Sequence, residues 1–363
     1  MVEPRQPNLP DEGTNVSENE QSTGLSRRAM MTAALAGGAG AMALPAWATD
    51  ALAAEAGKYP SHPKWRFVFV NHVTTNPFFV PTRYGAEDAG TMTNTTYQWT
   101  GSETAKTPEM INAMNAAISG KADGIAVCVV DPHAFDSVTV KALKKGIPVV
   151  AYNADGSTEN KRLAYIGQDL FNSGVEMGKR IATMVPKGGR IGLFIATPGQ
   201  SNIQPRIDGA QSALKGKGYK IDVITTGADL PGELTKIDAY VQGHSDVKGL
   251  FAVDAGSTQG IAQTMQKRGL QAKGVKGGGY DLLPITLQLI KSGDLDFTID
   301  QQPYLQGFQP VIQLFLYKIS GGLMAPSNTN TGLLFVTLGN VDPYLQTKSR
   351  YEGSDKAQKY IKS

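Results

Sequence analysis

Asn76-Pro77-Phe78-Phe79 follows the strand-like run Arg66-Phe67-Val68-Phe69-Val70 and opens a stretch that reads as a helix. Proline at a first helical position is already set to the helical φ, and asparagine just before it is a natural cap. The two phenylalanines therefore fall in the first helical turn, at the carboxyl end of a strand. Open α/β sheets hold their ligands at that end. Two aromatic faces beside an amide suit a molecule with C–H faces and hydroxyl edges, a sugar or a polyol. Taken alone, such a ring pair is better explained by core packing, so the reading depends on the rest of the chain.

Strand-like and helix-like segments alternate from Trp65 onward. Strands are expected at 66–71, 97–100, 124–130 and 148–152, with helices at 78–90, 108–119 and 134–145 between them. Each of these helices is expected to stop near a glycine, Gly90, Gly120 or Gly146. A second series places strands at 190–195, 220–225, 249–253, 275–280 and 297–299. Its helices are 171–185, 204–215, 233–243, 257–268 and 284–292. A helix at 305–320 and a short strand at 333–336 close the series. This spacing predicts βαβ units and parallel sheets. The two series read as one architecture used twice, and a chain of 363 residues is long enough for two such lobes.

Two doubly wound sheets side by side leave a cleft lined by strand ends from both halves. Polar residues stand at those ends: His72 and Asn76, Asp131, Asn153 and Asp155 in the first half. Gln204, Arg206, Asp254, Asp281 and Gln301 stand in the second. A single carboxylate there is by default a helix cap. A whole ring of amides, carboxylates and a guanidinium is the set that can hold hydroxyls, which donate and accept at once.

The remaining composition excludes several classes. The net charge is +3, without a basic stripe interleaved with aromatics, so no nucleic-acid partner is expected. The single cysteine, Cys128, lies in an apolar run and reads as a small buried residue. The four histidines, His62, His72, His133 and His244, show no metal-ligand spacing, so no metal is expected. No cofactor loop appears either: Gly277-Gly278-Gly279 precedes a strand end instead of opening a helix, and no nucleophile elbow is present. His72 has no readable triad around it, so an enzyme is not expected.

Residues 1–24 are polar and aperiodic. Ser26-Arg27-Arg28 then leads into an Ala/Gly/Met run and Ala46-Trp47-Ala48. That order, charged then apolar then small, is that of a twin-arginine signal peptide, expected over 1–48. The run is too short and too diluted by Gly37, Gly38 and Gly40 for a membrane span. Export to the periplasm or cell envelope is expected.

At this point the chain resembles a known family, the ribose-type periplasmic sugar-binding proteins of ABC importers, from about Trp65 to Val336. Asn76-Pro77-Phe78-Phe79 resembles the family's Asn-Pro-Phe-Phe, and Gly146-Ile147-Pro148-Val149-Val150 its strand leading to the cleft residue at Asn153. Arg206-Ile207-Asp208-Gly209, Phe251-Ala252-Val253-Asp254, Gly279-Tyr280-Asp281 and Thr298-Ile299-Asp300-Gln301-Gln302-Pro303 follow in the family's order. The resemblance implies two parallel-sheet lobes joined by a three-segment hinge, 64–168 with 302–328 and 169–301 with 329–345, and a peripheral tail at 346–363. It implies hydroxyl contacts from Asn76, Asn153, Asp254, Asp281 and Gln301, and a stacking face from Phe78, with Phe79 beside it or in the core. Arg206 is structural or ligand-facing with equal weight.

The departures from the family narrow the ligand. Ribose binders carry Asp-Arg where this chain has Asn153-Ala154, a second arginine at Gln204, a phenylalanine at Leu230 and an asparagine at Asp254. Fewer guanidinium forks and more acceptors favour a pentose or a four- or five-carbon polyol over ribose. The expectation is a monomeric substrate-binding protein delivering this carbohydrate to an ABC permease. The alternatives are a two-lobed α/β enzyme acting on a sugar, or a sugar-sensing partner of a membrane receptor.

Overall fold

The computed structural model describes residues 59–346, 349–354 and 356–357. The expected signal peptide lies outside the described residues. The described residues from Pro60 onward form one compact unit.

The first sheet is built from β1 (Arg66–Asn71), β2 (Thr96–Gly101), β3 (Gly124–Val127), β4 (Val149–Tyr152) and β5 (Tyr165–Gly167). They lie in the order β2-β1-β3-β4-β5, all parallel. The helices between them are α1 (Val80–Thr93), α2 (Thr107–Ser119) and α3 (Asp136–Lys144). Pro77–Phe79 forms a 3-10 turn ahead of α1, capped by the Asn76 side chain, which accepts from Phe78 N.

The second lobe repeats the plan. Its strands are β6 (Gly189–Ile195), β7 (Tyr219–Thr225), β8 (Gly249–Ala252), β9 (Lys276–Tyr280) and β10 (Phe297–Asp300). Their order is β7-β6-β8-β9-β10, again parallel. Helices α4 (Leu170–Met184), α5 (Gln204–Leu214), α6 (Leu230–Gly243), α7 (Ala255–Arg268) and α8 (Pro284–Lys291) surround it. The chain crosses back after β10 into α9 (Pro303–Ile319), which packs on α1. It then adds β11 (Thr329–Asn330) to the first sheet and β12 (Leu334–Val336) to the second.

The strands are apolar because both faces are covered: every residue of β3, β4 and β8 is buried. One apolar cluster fills the first lobe, and two fill the second. The backbones of α4 and α5 meet closely through Gly174, where a Cβ would lie 2.2 Å from the Arg206 carbonyl oxygen. That contact places Arg206 at the mouth of the second sheet.

Several expectations are corrected. Helix α1 does not end at Gly90; it runs to Thr93 and is closed by Asn94 in the left-handed region (φ 51°). Gly90 is instead packed against the Thr95 carbonyl. Strands β5 and β11, of three and two residues, are too short to give a periodic signal. The second lobe was expected to resume at 329, but Thr329–Asn330 pairs with β5, so the last hinge crossing follows Asn330. The C-terminal residues are not all peripheral. After α10 (Asp342–Gln346), whose Tyr344 and Leu345 pack on the second lobe, Arg350 is buried against the first. Its guanidinium lies 2.8 Å from Glu87 and 2.6 Å from Asp88, and 4.4 Å from the Tyr84 ring centroid.

Candidate functional site

The strand ends of the two sheets face one another across a cavity of about 60 Å³. His72, Val73, Asn76, Phe78, Phe79 and Asn153 line it from the first lobe. Asn202, Ile203, Arg206, Asp254, Ala255, Asp281 and Gln301 line it from the second lobe and the crossing.

The first-lobe wall is aromatic and neutral. Phe78 and Phe79 meet edge to face with centroids 4.7 Å apart. Phe79 continues into a cluster with Trp99 and Tyr152, at 5.9 and 6.5 Å. His72 stands edge-on to Phe79 at 5.5 Å. Burial without a charged partner pushes the His72 pKa down to about 4, so the ring is neutral near pH 7. Asn153 follows β4 in the left-handed region (φ 62°) that asparagine tolerates better than other side chains. Its amide nitrogen donates to Gln306 Oε1 at 3.0 Å, which orients the carbonyl end of the side chain.

The second-lobe wall is charged and internally braced. Arg206 is buried, donating to the Val253 carbonyl at 2.9 Å and to Gln168 Oε1 at 3.1 Å, with its guanidinium 4.1 Å from the Tyr280 centroid. Asp281, after β9, accepts from Gln301 Nε2 at 2.6 Å. Its burial raises its pKa to about 7, with Arg206 and the Gln301 hydrogen bond pulling the other way. Asp254 caps α7, accepting from Ser257 N and Ala196 N at 2.8 Å each, and desolvation raises its pKa too. Gln306, buried in α9, donates to Gln301 Oε1 at 3.2 Å and ties Asn153 and Gln301 into one network.

The lobes touch across the cavity. Ser201 N donates to the Val130 carbonyl at 2.9 Å, and Asn202 Nδ2 lies 3.4 Å from His72 Nε2. Four side-chain atoms at this cavity, His72 Nδ1, Asn153 Oδ1, Asn202 Oδ1 and Arg206 Nε, are buried and make no hydrogen bond. Buried polar atoms are nearly always paired, so unpaired ones on residues around one cavity leave it able to hydrogen-bond a polar molecule.

Of the residues expected from sequence, His72, Asn76, Phe78, Phe79, Asn153, Arg206, Asp254, Asp281 and Gln301 converge here. Three do not. Asp131 caps its own loop, accepting from His133 N and Ala134 N at 3.0 and 2.9 Å. Asp155 is paired with Arg162. Gln204 is held by Gly199 N and Asp208 at 3.0 and 2.9 Å. Asp155 and Gln204 line a wider groove of about 670 Å³ on the hinge flank. Sequence reasoning missed Asn202 and Gln306. The strand-end rule could have reached Asn202, which precedes α5 after β6, but Gln306 sits inside a helix and carries no such signal.

Comparison with known proteins agrees with this geometry. The sequence matches the periplasmic binding protein domain family over residues 67–318. It is 54% identical over 316 residues to the xylose/arabinose-binding protein of Sulfolobus acidocaldarius, covering 84% of this chain and 78% of that one. A solute-binding protein of an ABC transporter from Burkholderia graminis, solved with D-arabinose, superposes with a TM-score of 0.72 at 26% identity, over 77% of this chain and 96% of that one. A carbohydrate transporter protein from Acidothermus cellulolyticus, solved with myo-inositol, gives 0.69 at 29% identity, over 77% and 96%. The chain belongs to the periplasmic binding protein family, with the two-lobed fold that its sequence resembles.

Proposed function

We propose that this member of the periplasmic binding protein family is the exported sugar-capturing component of an ABC importer, binding an aldopentose between its lobes and handing it to a membrane permease. The reading is carried by the four unpaired buried polar atoms around one small cavity. A polyhydroxylated ligand satisfies them: its hydroxyls donate to Asn153 and Asn202 carbonyl oxygens and accept from Arg206, and its C–H face lies on Phe78. The set suits an uncharged molecule. His72 is neutral, and the Arg206 cation stands opposite two carboxyls whose pKa values are raised.

A pentose is favoured by the similarity to a xylose/arabinose-binding protein and to a structure holding D-arabinose. The neighbour holding myo-inositol keeps a polyol as the second reading. Ligand contacts that differ between open and closed lobes shift the hinge toward closure, and the hinge is the set of crossings at Gln168, Gln301 and after Asn330. A hydroxyl in the wrong position leaves one of these buried groups unpaired, at about 1–3 kcal/mol. That makes binding the selective step, with no chemistry performed on the sugar.

The test is calorimetric titration of xylose, arabinose, ribose, hexoses and polyols, with fluorescence of Trp99, which stands behind Phe79. Tight binding of xylose or arabinose with weak binding of ribose is expected. Binding of ribose alone, or release of a chemically altered sugar, would overturn the reading.

A further inference from the structure

At the carboxyl end of the first sheet, beside the groove lined by Pro132 and Ser157, three donors from separate segments meet. His133 lies in the loop after β3, Asp136 is the first residue of α3, and Glu159 lies in the connection from β4 to β5. His133 Nδ1 is 3.6 Å from Asp136 Oδ2 and 3.5 Å from Glu159 Oε2. The three donor atoms all lie within 4.8 Å of one another. We propose that His133, Asp136 and Glu159 bind one divalent transition-metal ion, with zinc the favoured occupant.

Ligands at zinc's usual 2.0–2.1 Å from a tetrahedral centre sit about 3.4 Å apart. The two imidazole–carboxylate separations fall close to that spacing. An imidazole with two carboxylates suits zinc or its first-row neighbours. It does not suit calcium, which takes about six to eight oxygens. Two carboxylates on one imidazole supply the negative charge that a dication needs. As bare ion pairs, they would contribute little, since the His133 and Glu159 side chains are 67% and 76% exposed.

The segments that carry the donors are also held in place. Asp131 fixes the His133 loop by accepting from two successive amides. Asp136 N donates to the His133 carbonyl at 3.1 Å, and Ser157 N to the Pro132 carbonyl at 2.9 Å, joining the two loops. Asn160, 3% exposed, donates to Asp136 Oδ1 at 2.9 Å. That bond leaves Oδ2 turned toward the imidazole, the kind of outer support that metal ligands normally have. The exposed side offers a fourth position to water. A bound ion would fasten the connection that follows Asn153 to the start of α3.

The experiment titrates purified protein, without a histidine tag, with Co2+ followed by visible absorption, and with Zn2+ followed by calorimetry and thermal shift. One saturable site, intense tetrahedral Co2+ bands and a higher melting temperature with Zn2+ are expected. His133→Ala and Glu159→Gln each weaken uptake roughly tenfold or more and leave sugar binding intact. The proposal is overturned if no saturable uptake occurs up to about 1 mM ion, or if His133→Ala binds as well as the unaltered chain.

Discussion

Asn153 follows β4 in the first lobe, and Asp281 follows β9, the strand in the same place of the second sheet. Both have left-handed backbones, with φ of 62° and 78°, and both follow a fully buried tyrosine, Tyr152 or Tyr280. The backbone device is shared, while the chemistry differs. Tyr152 joins an aromatic cluster with Phe69, Phe79 and Trp99, and Asn153 is neutral. Tyr280 lies under the Arg206 guanidinium, and Asp281 is a carboxyl raised toward neutrality. On the proposed function, one lobe would stack the ligand and the other would hold it through polar and charged groups. A repeated fold has therefore been given two complementary walls.

The largest expected effect breaks the charged wall. Arg206→Ala removes the cation facing Asp254 and Asp281, as well as two buried hydrogen bonds. Loss of one partner from a buried charged set costs about 3–5 kcal/mol, read as a lower urea midpoint. An unchanged midpoint would mean that the two acids do not depend on the arginine.

Asp281→Asn sharpens the comparison through pH. Asp281's folded pKa of about 7 lies above its value of 3.8 as a free side chain, so its contribution is fully present below 3.8 and is lost as pH rises through 7. His72 has the opposite sign: its pKa falls from 6.5 to about 4, so its contribution is lost as pH falls below 6.5. Subtracting the variant from the wild type cancels His72. The stability advantage of Asp281→Asn should widen by about 2 kcal/mol between about pH 5.5 and pH 8. A flat difference would show that the carboxyl is ionised without penalty.

Asn153→Gly keeps a backbone tolerant of φ 62° and deletes only the side chain. Sugar affinity should fall about tenfold, close to the cost of one lost hydrogen bond to a buried group. If affinity is unchanged, the neutral wall does not hold the ligand by its amide. The smallest effect is expected from Arg350→Ala, which cuts the C-terminal attachment to α1. Of its two carboxylate partners, Glu87 is 56% exposed, and the more buried Asp88 keeps the Tyr304 hydroxyl as a donor, so the loss should be about 1 kcal/mol in thermal unfolding.

Much of the site was readable because strand ends are readable. His72, Asn76, Asn153, Asp254, Asp281 and Gln301 each stand at or just after an apolar run, where an open sheet exposes a side chain to its cleft. Asp131, Asp155 and Gln204 obey the same rule and still face elsewhere. Each is captured by a nearby amide or side chain, a competition that the sequence pattern does not rank. Gln306 escaped notice because its role depends on the return of α9 to the first lobe, which brings it to Asn153 from 153 positions away.

The local order of residues was enough to determine the alternation of strands and helices, the cap at Asn76 and the twofold use of one architecture. Those features depend on side-chain periodicity and on backbone preferences acting over a few residues. Tertiary structure alone decided which polar atoms remain unpaired around the cavity, how far burial moves His72 and Asp281, and that His133, Asp136 and Glu159 meet. Each of these depends on desolvation or on distances between separate segments of the chain, and neither quantity exists until the chain has folded.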